Sequence, residues 1–205
     1  LTSDELHNSS EVSIVDTKAE TRQAILRAAT GLFGRFGPIK TTVADIAREL
    51  GMSPANIYNF FPSREAIIEA VGQQNIAGLR LEIVNALAQT QDSWDGVCTI
   101  FVRAANHMRD HLENEKDILQ LLVIQKENNW KFVDDFHDFL RAELEKLLRA
   151  EILAHDLPLI PSEAAATMFD CMWIAISALS VLKFDRQEHE RRIRAQLALL
   201  RRAFV

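Results

Sequence analysis

The sequence predicts an all-α protein: a small N-terminal group of short helices joined to a larger C-terminal helical bundle. Three observations carry this. Glycine and proline are few, at 7 and 5 residues in 205, and β-branched runs of the kind that mark strands are scarce. Apolar residues recur at helical spacing, as at Ile25, Ala28, Ala29, Leu32, Phe33 and Phe36. Cap and stop residues cut the chain into short segments up to residue 61 and longer ones beyond it.

Residues 1–16 are polar and aperiodic and read as a flexible tail. Thr17 with Glu20 has the form of a capping box, opening a first helix over about 18–36. Gly37-Pro38 ends it, glycine as the left-handed stop and proline as the residue that cannot continue. Thr42, with Asp45 three residues on, caps a short second helix whose inner face is Val43, Ile46, Ala47 and Leu50. Gly51-Met52 turns the chain. Ser53-Pro54 caps and starts a third helix to about Phe60. Pro62-Ser63 opens a fourth, from about 64 towards 89. Further helices are expected over about 93–113, 115–126, 129–155, 163–184 and 186–203, the last two capped by Ser162 and Asp185. The domains expected are thus the tail 1–16, a helix-turn-helix domain 17–64, and a bundle 65–205.

Composition excludes several classes of function. Hydrophobic residues make up 48% and charged residues 25%, a normal globular mixture that rules out disordered and collagenous chains. Two cysteines, Cys98 and Cys171, are too few for a disulfide scaffold and suit a reducing compartment. The most apolar run, 171–182, falls short of the roughly 20 residues that cross a bilayer. The N-terminus has no early base of the kind that opens a signal peptide. A cytoplasmic protein without a membrane partner is expected. The net charge is −6, yet residues 22–64 carry six bases against two acids, a local field that can steer a polyanion or simply solvate a helix surface.

Residues 42–61 have the grammar of a helix-turn-helix. Ala47 is the small residue needed where two helices cross, and Gly51 tolerates a turn with positive φ. Ile46, Leu50, Met52 and Ile57 supply a core between the helices. The third helix is uncharged, with Ser53, Ala55, Asn56, Tyr58 and Asn59 on its outer face. Asparagine can read adenine through two hydrogen bonds, and Ala or Pro can touch a thymine methyl. Pattern alone leaves a purely structural helical hairpin equally open.

The segment Thr21-Arg-Gln-Ala-Ile-Leu-Arg-Ala-Ala-Thr-Gly-Leu-Phe33, then Gly37, Thr41-Thr42, Asp45-Ile-Ala47, Gly51-Met-Ser53, Ile57-Tyr58, Phe61-Pro-Ser-Arg64-Glu65 and Ile68, resembles the DNA-binding domain of the tetracycline-repressor (TetR) family. The resemblance covers about residues 20–71. Beyond it the chain matches only in helical layout. By position, the resemblance implies that Thr42 touches phosphate and that Ser53, Pro54, Ala55 and Asn56 face the groove. It further implies that Tyr58 and Asn59 clamp the backbone and that Arg64, where the family usually has Lys, holds a phosphate. Phe60 departs from the family's His or Tyr and cannot hydrogen-bond a phosphate, which puts that half-site contact in doubt.

The same resemblance implies a homodimer built on the last two helices. Trp173, Ile174, Ser177 and Val181 on one helix, and Ile193, Leu197, Leu200 and Phe204 on the next, are the candidate interface. The helix 163–184 is apolar nearly all round, as burial on two sides requires, although a monomeric bundle would also use it. Phe101, Met108, Leu122 and Trp130 are candidates to line an apolar effector cavity. So are Phe136, Met168 and Met172, with Asp170 as the odd carboxylate among them. Met and aromatic residues at helical spacing serve equally as core.

No cofactor, metal or catalytic machinery is expected. His107 and His111 have a ligand-like spacing but no third ligand nearby, and no nucleophile elbow or phosphate-binding glycine loop is present. The expected function is a sequence-specific transcriptional regulator, a repressor released from operator DNA by a small, largely apolar effector. The alternative is a helical-bundle enzyme or small-molecule binding protein that does not act on DNA.

Overall fold

The structure is a computed structural model that describes residues 3–111, 124, 127–182 and 184–202, with side chains described from residue 17 onward except at 111, 180 and 181. Among the described residues the secondary structure is entirely helical: α1 Ser3–Phe36, α2 Val43–Glu49, α3 Pro54–Tyr58, α4 Arg64–Leu87, α5 Ser93–His111, α6 Lys131–Ala154, α7 Pro161–Val181 and α8 Arg186–Arg201. No described helix is long and apolar enough to cross a membrane. The helix expected over 115–126 lies outside the described residues.

The chain divides into two compact units, 1–73 and 74–205. The boundary therefore falls inside α4, not at residue 64. The reason is packing: Ile67, Ala70 and Val71 of α4 belong to the N-terminal core, whereas Leu79 and Ile83 belong to the C-terminal one.

In the N-terminal unit, Ile25, Leu26, Ala29 and Leu32 of α1 pack with Val43, Ile46, Ala47, Ile57 and Phe61. The helix stops where the sequence says it must. Gly37 adopts φ +81 and its N–H donates to the Phe33 carbonyl at 2.9 Å, as a left-handed C-terminal residue does. The start is different. α1 begins at Ser3 and runs through Thr17, so the residues expected to be a tail are helical and Thr17 does not cap. Residues 3–30 contain no glycine or proline, and a helix anchored by the apolar face 25–33 propagates through such a segment at little cost. Absence of apolar periodicity in a sequence is not absence of helix.

In the C-terminal unit, α6 packs on α7, α5 packs on both, and α8 packs on α5. The core is a continuous apolar cluster that includes Val97, Ile100 and Phe101 of α5, Leu140, Leu144 and Leu148 of α6, Met168, Phe169 and Met172 of α7, and Ile193 and Leu197 of α8. Gly96 lets α5 approach α6: a Cβ there would lie 2.8 Å from Leu147 Cδ2. α7 starts at Pro161 after Ile160, one residue before the cap expected at Ser162, because proline suits the first helical turn. Asp185 does cap α8, accepting from the Glu188 N–H at 2.8 Å.

One polar residue in this core is costly. His189 of α8 is fully buried, and neither ring nitrogen has a hydrogen-bond partner among the described residues. Burial first, and the nearby Arg109 charge second, push its pKa below the ordinary 6.5. The unfolded chain therefore takes up the proton first as pH falls. Stability held by neutral His189 is complete above pH 6.5 and is lost as pH falls through the lowered folded value. A His189→Leu variant is expected to flatten the acid limb of a plot of Tm against pH; an unchanged limb would show that His189 does not titrate on unfolding.

Candidate nucleic-acid interface

The interface is built from three short pieces: the loop 37–42, α2, and α3. α2 is held by a complete capping box. The Asp45 N–H donates to Thr42 Oγ1 at 3.1 Å, while the Thr42 N–H donates to Asp45 Oδ2 at 3.0 Å. The Thr42 hydroxyl donates to the same carboxylate oxygen at 2.6 Å. The hydroxyl assigned by resemblance to a phosphate thus has its proton on Asp45 and must rotate to reach one. These hydrogen bonds hold the Asp45 carboxyl below its usual value of 3.8.

Gly51 makes the turn with φ +65, and the Met52 N–H closes it on the Ala47 carbonyl at 2.8 Å. α3 begins with Ser53 as cap, its Oγ accepting from the Asn56 N–H at 3.2 Å, and with Pro54 in the first turn. Ile57 is completely buried. Ser53, Pro54, Ala55, Asn56, Tyr58 and Asn59 are all exposed. The structure therefore brings the four candidate groove residues and the two candidate backbone clamps to the outer surface of one short helix and its caps. Asn59 Nδ2 lies 3.5 Å from Asn56 Oδ1, a contact long enough to yield when a base edge offers better geometry. Phe60 is partly buried against the N-terminal core, so its ring is used inward.

Arg64 is engaged by the chain's own backbone. Its Nε donates to the Thr41 carbonyl at 2.8 Å, and its Nη2 donates to the carbonyls of Pro38 and Ile39, both at 2.6 Å. The guanidinium is turned to the loop backbone. Other bases of this unit are engaged too. Arg35 pairs with Glu49 at 3.1 Å, Arg48 pairs with Asp45 at 3.1 Å, and Arg22 lies over the Phe61 ring at 4.7 Å. Lys40 is exposed, as these three arginines and Arg27 are, but like Arg27 it has no ion pair or ring contact among the described residues. It stands two residues before Thr42, and the motif, read for its familiar positions, passes it over.

The candidate cavity and dimer residues separate into several groups. Phe101, Phe136, Met168 and Met172 are buried in the C-terminal core, with Met108 packed against it. Trp130 is buried at the start of α6, its ring 5.8 Å from Phe132. Leu122 lies outside the described residues. Asp170 does not face the apolar interior. It sits on the exposed side of α7 with its carboxylate 3.6 Å from Arg141 Nη2, because its place in the helix falls between the core positions Phe169 and Met172 and the outward Cys171 and Ile174.

Ile193 and Leu197 are fully buried in the core of the chain itself and so are not available to a second copy. Leu200 packs against the same core. The spacing of four, three and four is a packing stripe, and at Ile193, Leu197 and Leu200 it packs against the chain's own core. Ile174 is exposed, while Trp173 and Ser177 are half-buried. The Val181 side chain and Phe204 lie outside the described residues. No group of three or more described His, Cys, Asp or Glu residues is placed to hold a metal.

Asp45→Asn is expected to lower Tm at neutral pH. The lowered folded pKa means that the carboxylate stabilises above the unfolded value of 3.8 and ceases to do so as pH falls through the folded value. The Tm difference between variant and wild type is therefore expected to vanish in strong acid; a difference that persisted there would exclude the capping box as its origin.

Residues 25–71 match the model of the bacterial regulatory proteins of the tetR family. The chain is similar to the HTH-type transcriptional regulator BetI of Rhizobium meliloti (strain 1021), with 28% identity over 172 residues, 78% of this chain and 79% of that protein. Its fold is similar to that of a TetR-family transcriptional regulator from Pectobacterium atrosepticum, with TM-score 0.65 and 18% identity, covering 93% of this chain and 96% of the other. It is also similar to that of FadR from Bacillus subtilis in complex with stearoyl-CoA, with TM-score 0.62 and 12% identity over 85% and 96% of the two chains. The helix-turn-helix geometry and the match over residues 25–71 together make this chain a sequence-specific DNA-binding transcriptional regulator, similar to the proteins of the tetR family.

Proposed function

We propose that the chain is a homodimeric repressor, acting in the cytoplasm, that leaves its operator when a small, largely apolar molecule binds to its 74–205 unit. The observation that carries the DNA half of this reading is the exposed, uncharged face of α3, five helical residues with Asn56 and Tyr58 outward and Ile57 inward, followed by the exposed cap Asn59. So short a reader contacts few base pairs. Two copies on half-sites one helical turn apart multiply the discrimination.

What supports a dimer is the outward side of the last two helices. α7 exposes Cys171, Ile174 and Ala178, and α8 exposes Ala195, Ala198 and Leu199. Ile174 is 72% and Leu199 64% exposed. Small residues flanking large apolar ones allow close approach of a second copy of the same surface. This stripe replaces Ile193 and Leu197 as the proposed interface.

What supports an apolar effector is the make-up of the C-terminal core. Met168 and Met172 stand beside Phe101 and Phe136, and methionine repacks around a guest more readily than branched residues. The FadR protein that shares this fold is found with stearoyl-CoA, a molecule with a long apolar chain. The effector acts only through different affinity for the DNA-competent and DNA-incompetent conformations.

Selection from a random duplex library is expected to yield a near-palindromic site. Binding to it should be tight at a salt concentration where random DNA is released. No enrichment would overturn the reading. On the selected site, Asn56→Ala is expected to relax choice at one base pair per half-site, by about 1–3 kcal/mol of discrimination, with Tm unchanged; an unaltered preferred sequence would remove Asn56 from the reading face.

A double variant, Ile174→Glu with Leu199→Glu, is expected to sediment as a folded monomer and to bind a half-site and the full site equally well. A dimer that survived both changes would place the interface elsewhere.

A further inference from the structure

The loop between α1 and α2 turns almost all of its carbonyls inward. The Thr41 hydroxyl, on a residue only 2% exposed, donates to the Gly37 carbonyl at 2.9 Å. Arg64 takes the carbonyls of Pro38, Ile39 and Thr41. Of its five N–H groups, the Nε one and both on Nη2 face these oxygens, and Nη1 lies 3.6 Å from the Glu65 carboxylate. Three neutral carbonyls neutralise no charge, but they fix the plane of the guanidinium and with it the path of the loop. A lysine could not do this, since its three donors sit on one atom and cannot span carbonyls 38 to 41.

The residue in the middle of this arrangement is Lys40. With the carbonyls on either side held by Arg64, its side chain is exposed and has no ion-pair partner among the described residues. It precedes Thr42 by two residues, hence by at most about 7 Å of chain, and its flexible stem adds reach. Arg35, Arg48 and Arg22 are held by Glu49, Asp45 and Phe61. On the loop that leads into α2, Lys40 is thus the ammonium left for a DNA phosphate.

We infer that Lys40 is the phosphate-gripping residue of this helix-turn-helix, and that Arg64 is a positioning residue that presents Lys40 by fixing the loop. The inference rests on the DNA-binding reading and adds to it an anchor residue and the means by which that anchor is held.

The test measures operator affinity of the full chain as a function of salt, and Tm without DNA. It compares wild type, Lys40→Ala, Lys40→Arg, Arg64→Lys and the double variant Lys40→Ala with Arg64→Lys. Each lost phosphate contact reduces the slope of log affinity against log salt by about 0.9.

Lys40→Ala is expected to reduce the slope by that amount and to weaken cognate and random duplexes alike, with Tm unchanged because the side chain is exposed. Lys40→Arg should restore the slope. Arg64→Lys keeps the charge but loses the clamp, so it is expected to lower Tm and operator affinity. In the Lys40→Ala background it should leave the slope where Lys40→Ala put it. Three results would overturn the inference: a wild-type slope in Lys40→Ala, wild-type Tm and affinity in Arg64→Lys, or a double variant whose slope falls by about two contacts. Were Arg64→Lys too unstable to assay, the slopes of the two Lys40 single variants would still decide the role of Lys40. A wild-type chain that bound no duplex in preference to random DNA would instead overturn the DNA-binding reading, and with it this inference.

Discussion

A helix of five residues cannot hold itself in water: the cost of nucleation exceeds what so few hydrogen bonds return. α3 exists because Ile57 is fully buried against Ile25, Ile46, Ala47 and Phe61. Burial of one such side chain contributes about 1.5–3 kcal/mol, more than the roughly 1 kcal/mol of the Ser53 cap. One anchored residue fixes the helix, and its remaining side chains are free to face outward. The arrangement of α1, α2 and the first turns of α4 follows from the need to surround that single isoleucine. The Gly51 turn and the Ala47 crossing, in turn, bring α2 and α3 close enough to do so.

Most of this was legible in the sequence because it depends on residues with few alternative uses. Glycine at positive φ, threonine three residues before aspartate, and serine before proline each point to one local geometry, and Gly37, Thr42 and Ser53 all adopt it. Legibility failed where two outcomes share one pattern. A stripe at Ile193, Leu197 and Leu200 fits helix packing equally well within a subunit or between subunits, and only three-dimensional burial separates them. Asp170 stands out in an apolar run, yet a single carboxylate on a helix turns outward at no cost in packing. The start of α1 was not legible because apolar periodicity is a sign of helix that a helical segment can lack.

The hydrogen bonds of Arg64 were not legible for a different reason. Its position in the motif is that of a cation near the DNA, and a sequence shows a residue's charge but not where its hydrogen bonds go. A guanidinium within reach of three unpaired loop carbonyls binds them, because carbonyls left without partners in a partly buried loop are expensive. Lys40 could have been noticed from the sequence on one ground: it is the base nearest the α2 cap on its N-terminal side. Its significance lies in the occupied carbonyls of its neighbours Ile39 and Thr41, which only the structure shows.

The uncharged outer face of α3 has a consequence for how such a regulator diverges. Ala55, Asn56 and Asn59 bear no charge and contribute nothing to the core that holds the helix. A gene copy can therefore exchange them one at a time and acquire a new operator. It loses neither the fold nor the sequence-independent attraction to DNA that lets an imperfect reader find its site at all. Recognition is in this sense a detachable layer, and related chains can share a scaffold while answering to different promoters.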